Sequence, residues 1–277
     1  MTPQGFRDAD PQTSDPISEA VATRDSTILG MVRDAVRHGH VLLAFQPVVQ
    51  ASRPDHIAYH EALIRVLDET GRIIPAREFI AAVEETETGR IIDCIALEKG
   101  LAELENEPSL RLAINMSARS IGYKKWMHIL TCGLNRNPLI AERLILEITE
   151  NSAMLVPELV VTFMQDLQRH GISFALDDFG AGYTAFRYFK DFSFDILKID
   201  GQFIRGIASD CDNQVITRAM LLVAQQFDMF TVAEFVETAA DAAFLEQMGV
   251  DCLQGYHYGA PTVAPPWQQR LPKRAKA

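Results

Sequence analysis

Short apolar runs alternate with longer segments of helical periodicity along most of the chain. Eight apolar runs have the length and composition of buried strands. They are Val41–Val49, Ala58–Val66, Leu110–Ile114, Leu144–Ile148, Ile172–Leu176, Phe194–Ile199, Phe230–Val236 and Cys252–Tyr256. The helical segments between them are Ala76–Glu87, Ile91–Glu105, Trp126–Asn135, Pro157–His170, Asn213–Phe227 and Ala239–Met248, with a shorter one at Tyr183–Tyr188. This alternation predicts a parallel sheet with helical crossovers, and eight strands favour a closed barrel over an open sheet.

The connection between the first two apolar runs departs from this alternation. It begins at Ala51, has no helical pattern and is too short for a helical crossover. We therefore predict that these two strands are antiparallel. The polar sequence Asp68–Arg72 then indicates a hairpin before the first outer helix. The predicted fold class is α/β, a modified TIM (β/α)8 barrel with an antiparallel first strand.

The two ends of the chain differ in composition from this ordered part. Residues 1–25 are polar and contain Pro3, Pro11 and Pro16, so we predict a disordered segment, with a helix beginning near Ser26. The predicted domain covers residues 26–262. Residues 263–277 are rich in proline and basic side chains, which favours a flexible solvated tail over an anion-binding patch.

Charge and cysteine usage narrow the class of protein. The net charge of -11 opposes binding to DNA or RNA, and no uncharged apolar run is long enough to insert across a membrane. The N-terminus lacks the basic start and apolar core of a signal peptide. The four cysteines are scattered without a CxxC pair, which is typical of reduced thiols rather than of a disulfide or zinc framework. We therefore expect a cytoplasmic protein.

Acidic side chains follow most of the predicted strands. Strand ends are occupied by Glu61, Asn115, Glu147, Asp177 with Asp178, Asp200 and Glu234. In a parallel barrel these ends meet at one rim, where barrel enzymes place their active sites. For any single acid the alternative is a cap or first-turn charge of the following helix. Recurrence at so many strand ends favours a shared site.

Clustered carboxylates need compensating cations, because like charges raise one another's pKa. Oxygen ligands with one Asn amide select Mg²⁺, Mn²⁺ or Ca²⁺ over zinc. Adjacent Asp177 and Asp178 could bridge two ions, a geometry suited to phosphodiester hydrolysis. Lys198 lies on the same strand face as Asp200 and could orient or deprotonate the attacking water. The alternative for Lys198 is a surface position or a purely structural ion pair.

The same residues resemble the motifs of EAL domains, bacterial phosphodiesterases that cleave cyclic di-GMP. The similar segments, in order, are Phe45-Gln46-Pro47, His60–Arg65, Ile114–Ser117, Glu147–Glu150, Asp177–Tyr183, Lys198–Asp200, Ala233–Glu237 and Gln254–Tyr256. They extend over nearly the whole predicted domain. The chain departs from the family at Phe235, where EAL domains usually have glycine. A large side chain there could be accommodated on an outward face or could displace Glu234.

The resemblance implies a role for each matching residue. A first metal ion would be held by Glu61, Asn115, Glu147 and Asp177. A second ion would be held by Asp177, Asp178 and Glu234. Lys198 would assist the nucleophilic water, and Glu150 and Glu237 would brace the loop after Asp178, with Glu237 counted among the catalytic residues. Glu61 is also counted among the catalytic residues. Contacts with substrate, or ordering of the site, would come from Gln46, Arg65, Asn115, Asp200 and Gln254.

The function implied is hydrolysis of cyclic di-GMP to linear pGpG with two Mg²⁺ or Mn²⁺ ions, with Ca²⁺ inhibitory. The alternative is a catalytically inactive EAL domain that binds cyclic di-GMP and signals to a partner protein. We expect a homodimer, with regulatory input from the N-terminal segment, from dimerisation or from a regulatory protein partner. Replacing Glu61, Asp177 or Lys198 by alanine is expected to abolish turnover without disturbing the fold, because each is placed at the rim.

Overall fold

The computed structural model describes residues 16–182 and 189–269. Its strands are β1 (Val41–Gln50), β2 (Arg53–Leu67), β3 (Ile73–Pro75), β4 (Leu112–Asn115), β5 (Leu144–Thr149), β6 (Ser173–Phe179), β7 (Ile196–Ile199), β8 (Phe230–Ala233) and β9 (Cys252–Gln254). Its α-helices are α1 (Pro16–Arg37), α2 (Ile80–Val83), α3 (Glu87–Asn106), α4 (Lys124–Arg136), α5 (Glu150–Ala153), α6 (Pro157–Gln168), α7 (Gly201–Ile204), α8 (Cys211–Gln226), α9 (Ala239–Met248) and α10 (Pro266–Gln269). Short 3₁₀ helices cover Ala76–Glu78, Ala118–Ser120 and Pro138–Arg143.

Eight of these strands close into a barrel. From β2, the sheet continues through β4, β5, β6, β7, β8 and β9 in parallel, and β1 closes the ring by pairing antiparallel with both β2 and β9. The predicted barrel with an antiparallel first strand is therefore confirmed. The tight connection between β1 and β2 leaves no room for a crossover helix, which forces the antiparallel pairing.

The predicted hairpin is also present, outside the ring. β3 pairs antiparallel with the end of β2. The turn is ordered by the carboxylate of Asp68, whose Oδ1 accepts hydrogen bonds from the backbone N–H groups of Thr70 and Arg72, both at 2.9 Å. Gly71 in this turn has φ +80, a left-handed conformation that glycine adopts without steric cost.

Two layers of side chains fill the barrel interior around the site. Each of the eight strands contributes one residue to the lower layer, and the upper layer is formed in the same way except that Glu234 immediately follows β8. The lower layer is apolar apart from one tyrosine hydroxyl and one thiol: Val48, Tyr59, Ala113, Ile145, Ala175, Ile196, Val232 and Cys252. Two positions further towards the carboxyl ends of the parallel strands lies the upper layer: Gln46, Glu61, Asn115, Glu147, Asp177, Lys198, Glu234 and Gln254. Side chains alternate between the two faces of a strand, so residues two positions apart point in the same direction. The polar residues of the upper layer therefore point into the barrel, as the residues of the lower layer do.

The first helix begins earlier than predicted. α1 starts at Pro16, so residues 16–25 are helical rather than disordered. Proline is well tolerated in the first turn of a helix, which is consistent with a helix that begins at Pro16. The second half of α1 buries Val32 and Ala35, which anchors the whole helix against the barrel. Residues 1–15 lie outside the described part of the chain.

The C-terminal segment is also more ordered than predicted, as far as it is described. Trp267 on α10 packs edge-on against Phe45 and His60, with ring centroids 5.2 and 4.7 Å away. Its Nε1–H donates to Glu103 Oε2 at 2.9 Å. The packing of one large aromatic ring therefore holds this segment against the barrel as far as Gln269, although its proline-rich composition is typical of a tail. The basic residues after Gln269 lie outside the described part of the chain.

Two of the predicted helical segments are not described in the structure as single helices. The segment Ala76–Glu87 is divided into a 3₁₀ turn, the single turn of α2 and the start of α3. The short helix predicted at Tyr183–Tyr188 lies outside the described residues. Among the helices that are described, none combines the length and apolar character needed to cross a bilayer.

Candidate functional site

Lys198 is the centre of the upper layer of the barrel. Its Nζ lies 2.9 Å from Glu147 Oε2, 2.9 Å from Asp177 Oδ1 and 2.9 Å from Glu234 Oε1. Glu61 Oε2 is slightly further away, at 3.4 Å. The lysine side chain has no exposed surface. The structure thus brings together, around one buried cation, four of the acids that the sequence placed at strand ends.

One lysine cannot neutralise four buried carboxylates. Burial alone would lower the pKa of Lys198, but attraction to the surrounding carboxylates outweighs burial and holds its pKa well above the usual value. Burial raises the pKa of Glu147 and of Glu234 well above the usual value, and Lys198 compensates only in part. Without further cations, these two acids therefore hold a proton more tightly than ordinary carboxyl groups do.

Glu61 differs because it has additional hydrogen-bond donors. Gln254 Nε2 donates to Glu61 Oε2 at 2.6 Å, and Asn115 Nδ2 donates to Oε1 at 2.8 Å. Burial would raise the pKa of Glu61, but Lys198 and these two amides bring it below the usual value. Gln46 extends the amide network, since its Oε1 accepts from Gln254 Nε2 at 3.3 Å and its Nε2 donates to the Gly259 carbonyl at 3.1 Å.

The carboxylates form two groups whose ligand atoms are close enough to hold metal ions. The first group is Glu61, Glu147 and Asp177, and the second is Asp177, Asp178 and Glu234; within each group the oxygens lie within 4.8 Å of one another. Asp177 belongs to both. These groups contain the acids predicted for the two ion sites, and Asn115 contacts the first group through Glu61.

The donor set fits hard divalent cations. Glu147 Oε1 is buried and has no hydrogen-bond partner among the described residues, which is a costly arrangement unless a cation or water completes it. Burial, with a smaller contribution from Asp177, raises the pKa of Asp178 to about 6. A cation placed between these acids would reverse that repulsion. Asp178 also has φ 55, a left-handed conformation that Asp tolerates better than most residues.

The acids open into a cavity of about 820 Å³. Its walls include Gln46, Arg65 and Glu237, together with the carboxylates Asp177, Asp178 and Glu234. A volume of this size accommodates a drug-sized or dinucleotide-sized ligand. Lys198 and Glu147 do not line the cavity and lie beneath its floor. Both are packed in the barrel interior. The exposed rim position, which was the reason to expect an undisturbed fold after replacement of Lys198, is therefore wrong.

The remaining predicted residues are placed around the cavity. Glu150 is buried, and its Oε2 accepts the backbone N–H of Gly180 at 3.0 Å, in the loop after Asp178. Asp200 is not a lining residue; its carboxylate caps α7 by accepting from Gln202 N at 2.7 Å. Glu237 is half-exposed, and its partner among the described residues is Arg205, at 3.7 Å.

The site is that of a known family. A family model described as the EAL domain matches residues 30–261. The chain belongs to the EAL domain family. The recognition made from the sequence motifs is therefore confirmed.

This EAL domain is similar to parts of longer curated proteins. It is 32% identical over 238 residues to the cyclic di-GMP phosphodiesterase PdeF of Escherichia coli, covering 84% of this chain and 32% of PdeF. It is 28% identical over 252 residues to the cyclic di-GMP phosphodiesterase PdeB of Shewanella oneidensis, covering 88% of this chain and 29% of PdeB. The chain thus spans about a third of the length of these relatives.

Solved structures of EAL domains superpose on most of the chain. The PaMucR phosphodiesterase in complex with c-di-GMP has a TM-score of 0.75 at 29% identity, covering 88% of this chain and 99% of that one. The FimX EAL domain of Pseudomonas aeruginosa bound to c-di-GMP has a TM-score of 0.77 at 25% identity, covering 86% and 97%.

The departure of this EAL domain at Phe235 is accommodated on an outward face. Phe235 has φ 53, and its side chain is 45% exposed. Glu234 remains within 2.9 Å of Lys198, so the ring does not displace the carboxylate. The motif singled out Phe235 but not Arg205, whose guanidinium lies 4.2 Å from the centre of the Phe235 ring. Only the structure relates these two residues, because they lie on different loops.

Asp93 on α3 is a second group that the motifs did not identify. It borders the cavity, and its Oδ2 accepts from Ser120 Oγ at 2.6 Å and from the backbone N–H of Ser117 at 3.1 Å. It therefore ties α3 to the loop that follows β4. Burial raises the pKa of Asp93 to about 6, although both hydrogen bonds act in the opposite direction.

Asp93→Asn is expected to remove a pH-dependent loss of stability. The folded protein holds the Asp93 proton more tightly than the unfolded chain, so the wild type loses stability as pH rises through about 4 to 6. Between pH 5 and pH 8 the ionisation of Asp93 lowers the free energy of unfolding of the wild type by about 1 kcal/mol, and the asparagine variant lacks this decrease. Urea unfolding at the two pH values measures the difference. The exposed Asp55 on β2 supplies the control variant Asp55→Asn, and equal pH dependence in all three proteins would contradict the prediction.

Proposed function

We propose that this EAL domain hydrolyses one phosphodiester linkage of cyclic di-GMP to give linear pGpG, with two Mg²⁺ or Mn²⁺ ions. The observation on which the proposal rests is the pair of carboxylate groups that share Asp177 at the floor of an open cavity. Similarity to named cyclic di-GMP phosphodiesterases supports the choice of substrate.

In the proposed mechanism the upper layer of the barrel holds both ions. Glu61, Asn115, Glu147 and Asp177 would bind the first, and Asp177, Asp178 and Glu234 the second. Bound divalent ions supply positive charge that stabilises the attacking and leaving oxygens of the phosphodiester. The amides of Asn115 and Gln254 hold Glu61 ionised and ready to bind a cation.

Lys198 has a role that follows from its raised pKa. Its ammonium group stays protonated at neutral pH and lies within 3.4 Å of four carboxylates, so it acts as a fixed donor rather than as a base. Because its three N–H groups face carboxylates at 2.9 Å, such a donor would orient the attacking water through these carboxylates. The water oxygen would bond to phosphorus as the bond between phosphorus and the leaving 3′ oxygen breaks. Because the ammonium keeps its proton, the water proton would pass to a carboxylate oxygen of the site, and the released 3′ oxygen would take up a proton to become a hydroxyl group.

The residues around the cavity would bind the substrate or order the site. Arg65 lines the cavity, and its guanidinium matches a phosphate group in shape and charge. Gln46 and Gln254 offer amide groups at the floor. Glu150 braces the loop after Asp178, Glu237 orders the cavity edge with Arg205, and Asp200 acts indirectly by capping α7. We further propose a cytoplasmic homodimer that takes its regulatory input from the N-terminal segment, from dimerisation or from a regulatory protein partner.

Metal dependence tests the proposal. The purified protein is expected to convert cyclic di-GMP to pGpG in Mg²⁺ or Mn²⁺, and to bind the nucleotide without turnover in EDTA. Ca²⁺ is expected to inhibit, because its larger and more flexible coordination shell activates water poorly. Chromatographic separation of substrate and product measures turnover, and calorimetry measures binding. Binding without hydrolysis under all ion conditions would instead identify a cyclic di-GMP receptor, the function suggested by similarity to the nucleotide-bound FimX domain.

A further inference from the structure

Phe235 presents an aromatic ring to the cavity directly beside a proposed metal ligand. It follows Glu234 in the loop between β8 and α9, and it lines the same cavity as the carboxylates. Its backbone is in the left-handed region, at φ 53, which bulky residues rarely adopt. A strained aromatic residue at the edge of a ligand cavity is a reason to look for a binding role.

Helix α7 supports one side of this ring. A Cβ atom on Gly201 would collide with the Phe235 side chain, so the ring packs directly on the Gly201 backbone. Arg205 follows directly after the last residue of α7, with an extended backbone, and its Cζ lies 4.2 Å from the centre of the ring. The guanidinium is itself held by Glu237, 3.7 Å from its Nε. These contacts fix the orientation of the ring from the side of α7.

Part of the Phe235 ring remains exposed, and this part is its open face. The side chain of Phe235 is 45% exposed although it is packed against α7, and it borders the cavity. Phe230, at the start of β8, is more exposed but lies outside the cavity lining, so exposure alone does not distinguish a binding residue. Phe235 combines exposure, a fixed orientation and a position next to the reaction site.

We propose that the open face of Phe235 is a stacking platform for one guanine base of the substrate, which makes Phe235 a specificity-determining residue. This inference rests on the proposed function, since it takes cyclic di-GMP as the ligand. A purine is a flat aromatic ring system and stacks on an aromatic side chain, and loss of such a contact lowers affinity by about 5- to 150-fold. Gly201 and Arg205 are positioning residues for the platform, and Asp200 caps the short helix α7 that begins at Gly201 and ends just before Arg205.

The test compares Phe235→Leu with Phe235→Tyr. The leucine variant keeps an apolar side chain of similar reach but has no ring, and the tyrosine variant keeps the ring. Calorimetric titration with cyclic di-GMP in EDTA is expected to show a dissociation constant at least fivefold higher for leucine and within about twofold of wild type for tyrosine. In Mg²⁺ the leucine variant is expected to raise KM rather than to lower kcat.

A second variant moves the ring without replacing it. In Gly201→Ala the new methyl group occupies the space of the Phe235 ring, so the affinity loss of the leucine variant should be reproduced. Mn²⁺ titration of each variant shows whether Glu234 is disturbed. Weaker Mn²⁺ binding with unchanged nucleotide affinity in EDTA would overturn the inference, because Phe235 would then only support the metal ligand.

The outcomes separate this inference from the proposed function. If the wild type binds cyclic di-GMP and the leucine variant binds it equally well, the platform is refuted while the proposed function stands. If the wild type neither binds nor hydrolyses the nucleotide, both are refuted. A selective loss of affinity in Phe235→Leu and Gly201→Ala, with Phe235→Tyr intact, supports the platform.

Discussion

Lys198→Met is expected to lower the rate of cyclic di-GMP hydrolysis by about 10²–10⁴-fold and to destabilise the metal-free protein by about 3–5 kcal/mol. The rate falls because the fixed ammonium donor beside the attacking water is lost. The stability falls because the carboxylates of Glu61, Glu147, Asp177 and Glu234 remain buried without their common cation. Methionine has nearly the same length as lysine, so the loss of charge dominates over the loss of volume.

The destabilisation of Lys198→Met depends on pH and on metal. Removing the cation raises the pKa values of the surrounding carboxylates in the folded state, so the stability of the variant decreases as pH rises through those values. Added Mn²⁺ should restore part of the free energy of unfolding, because it binds the native acids and supplies positive charge, while turnover stays low.

Urea unfolding at pH 8 with EDTA or Mn²⁺, together with turnover in Mg²⁺, measures both effects. The matched control is Lys99→Met, an exposed lysine on α3, for which a change within about 0.5 kcal/mol and normal turnover are expected. A Lys198→Met protein with the stability and turnover of the wild type would show that the central cation is dispensable.

Asp177→Asn is expected to lower turnover by about 10³-fold or more, because Asp177 belongs to both carboxylate groups. Losing its charge weakens both ion sites at once. Asp178→Asn, by contrast, alters only the second group, and asparagine also tolerates the left-handed backbone at φ 55. Mn²⁺ titration should therefore show two ions in the wild type and one tight ion in Asp178→Asn, with weak binding at both sites in Asp177→Asn.

Calorimetry gives the stoichiometry, and product formation from cyclic di-GMP gives the rate. Asp55→Asn serves as the control, because this exposed carboxylate on β2 lies outside the cavity lining. Equal ion stoichiometry in the Asp177 and Asp178 variants would contradict the shared role of Asp177.

The sequence was sufficient to predict the fold because most of the parallel strands are short apolar runs that end at a polar residue. Parallel strands have their carboxyl ends at one rim, so Glu61, Glu147 and Asp177 could be placed together before any coordinates were known. The antiparallel pairing of β1 and β2 followed from the length of their connection. These conclusions depend on local pattern, which a sequence displays directly.

Contacts between distant segments could not be predicted in the same way. The composition around Trp267 indicates a flexible tail, but Trp267 packs against Phe45 and His60, which are more than 200 residues earlier in the sequence. The contact of Phe235 with Gly201 and Arg205 depends on how two loops approach each other. The deep burial of Lys198 depends on closure of the whole ring, so a rim position could be anticipated but not its packed surroundings.

The single lysine among several acids also constrains how this barrel can evolve. A lineage that replaced two of the acids would leave Lys198 with fewer counter-charges in a buried interior, and one that lost the lysine first would retain mutually repelling acids. Evolutionary loss of this charged site should thus proceed by paired substitutions of Lys198 and its acidic neighbours. The apolar residues of the lower layer can be substituted independently of them.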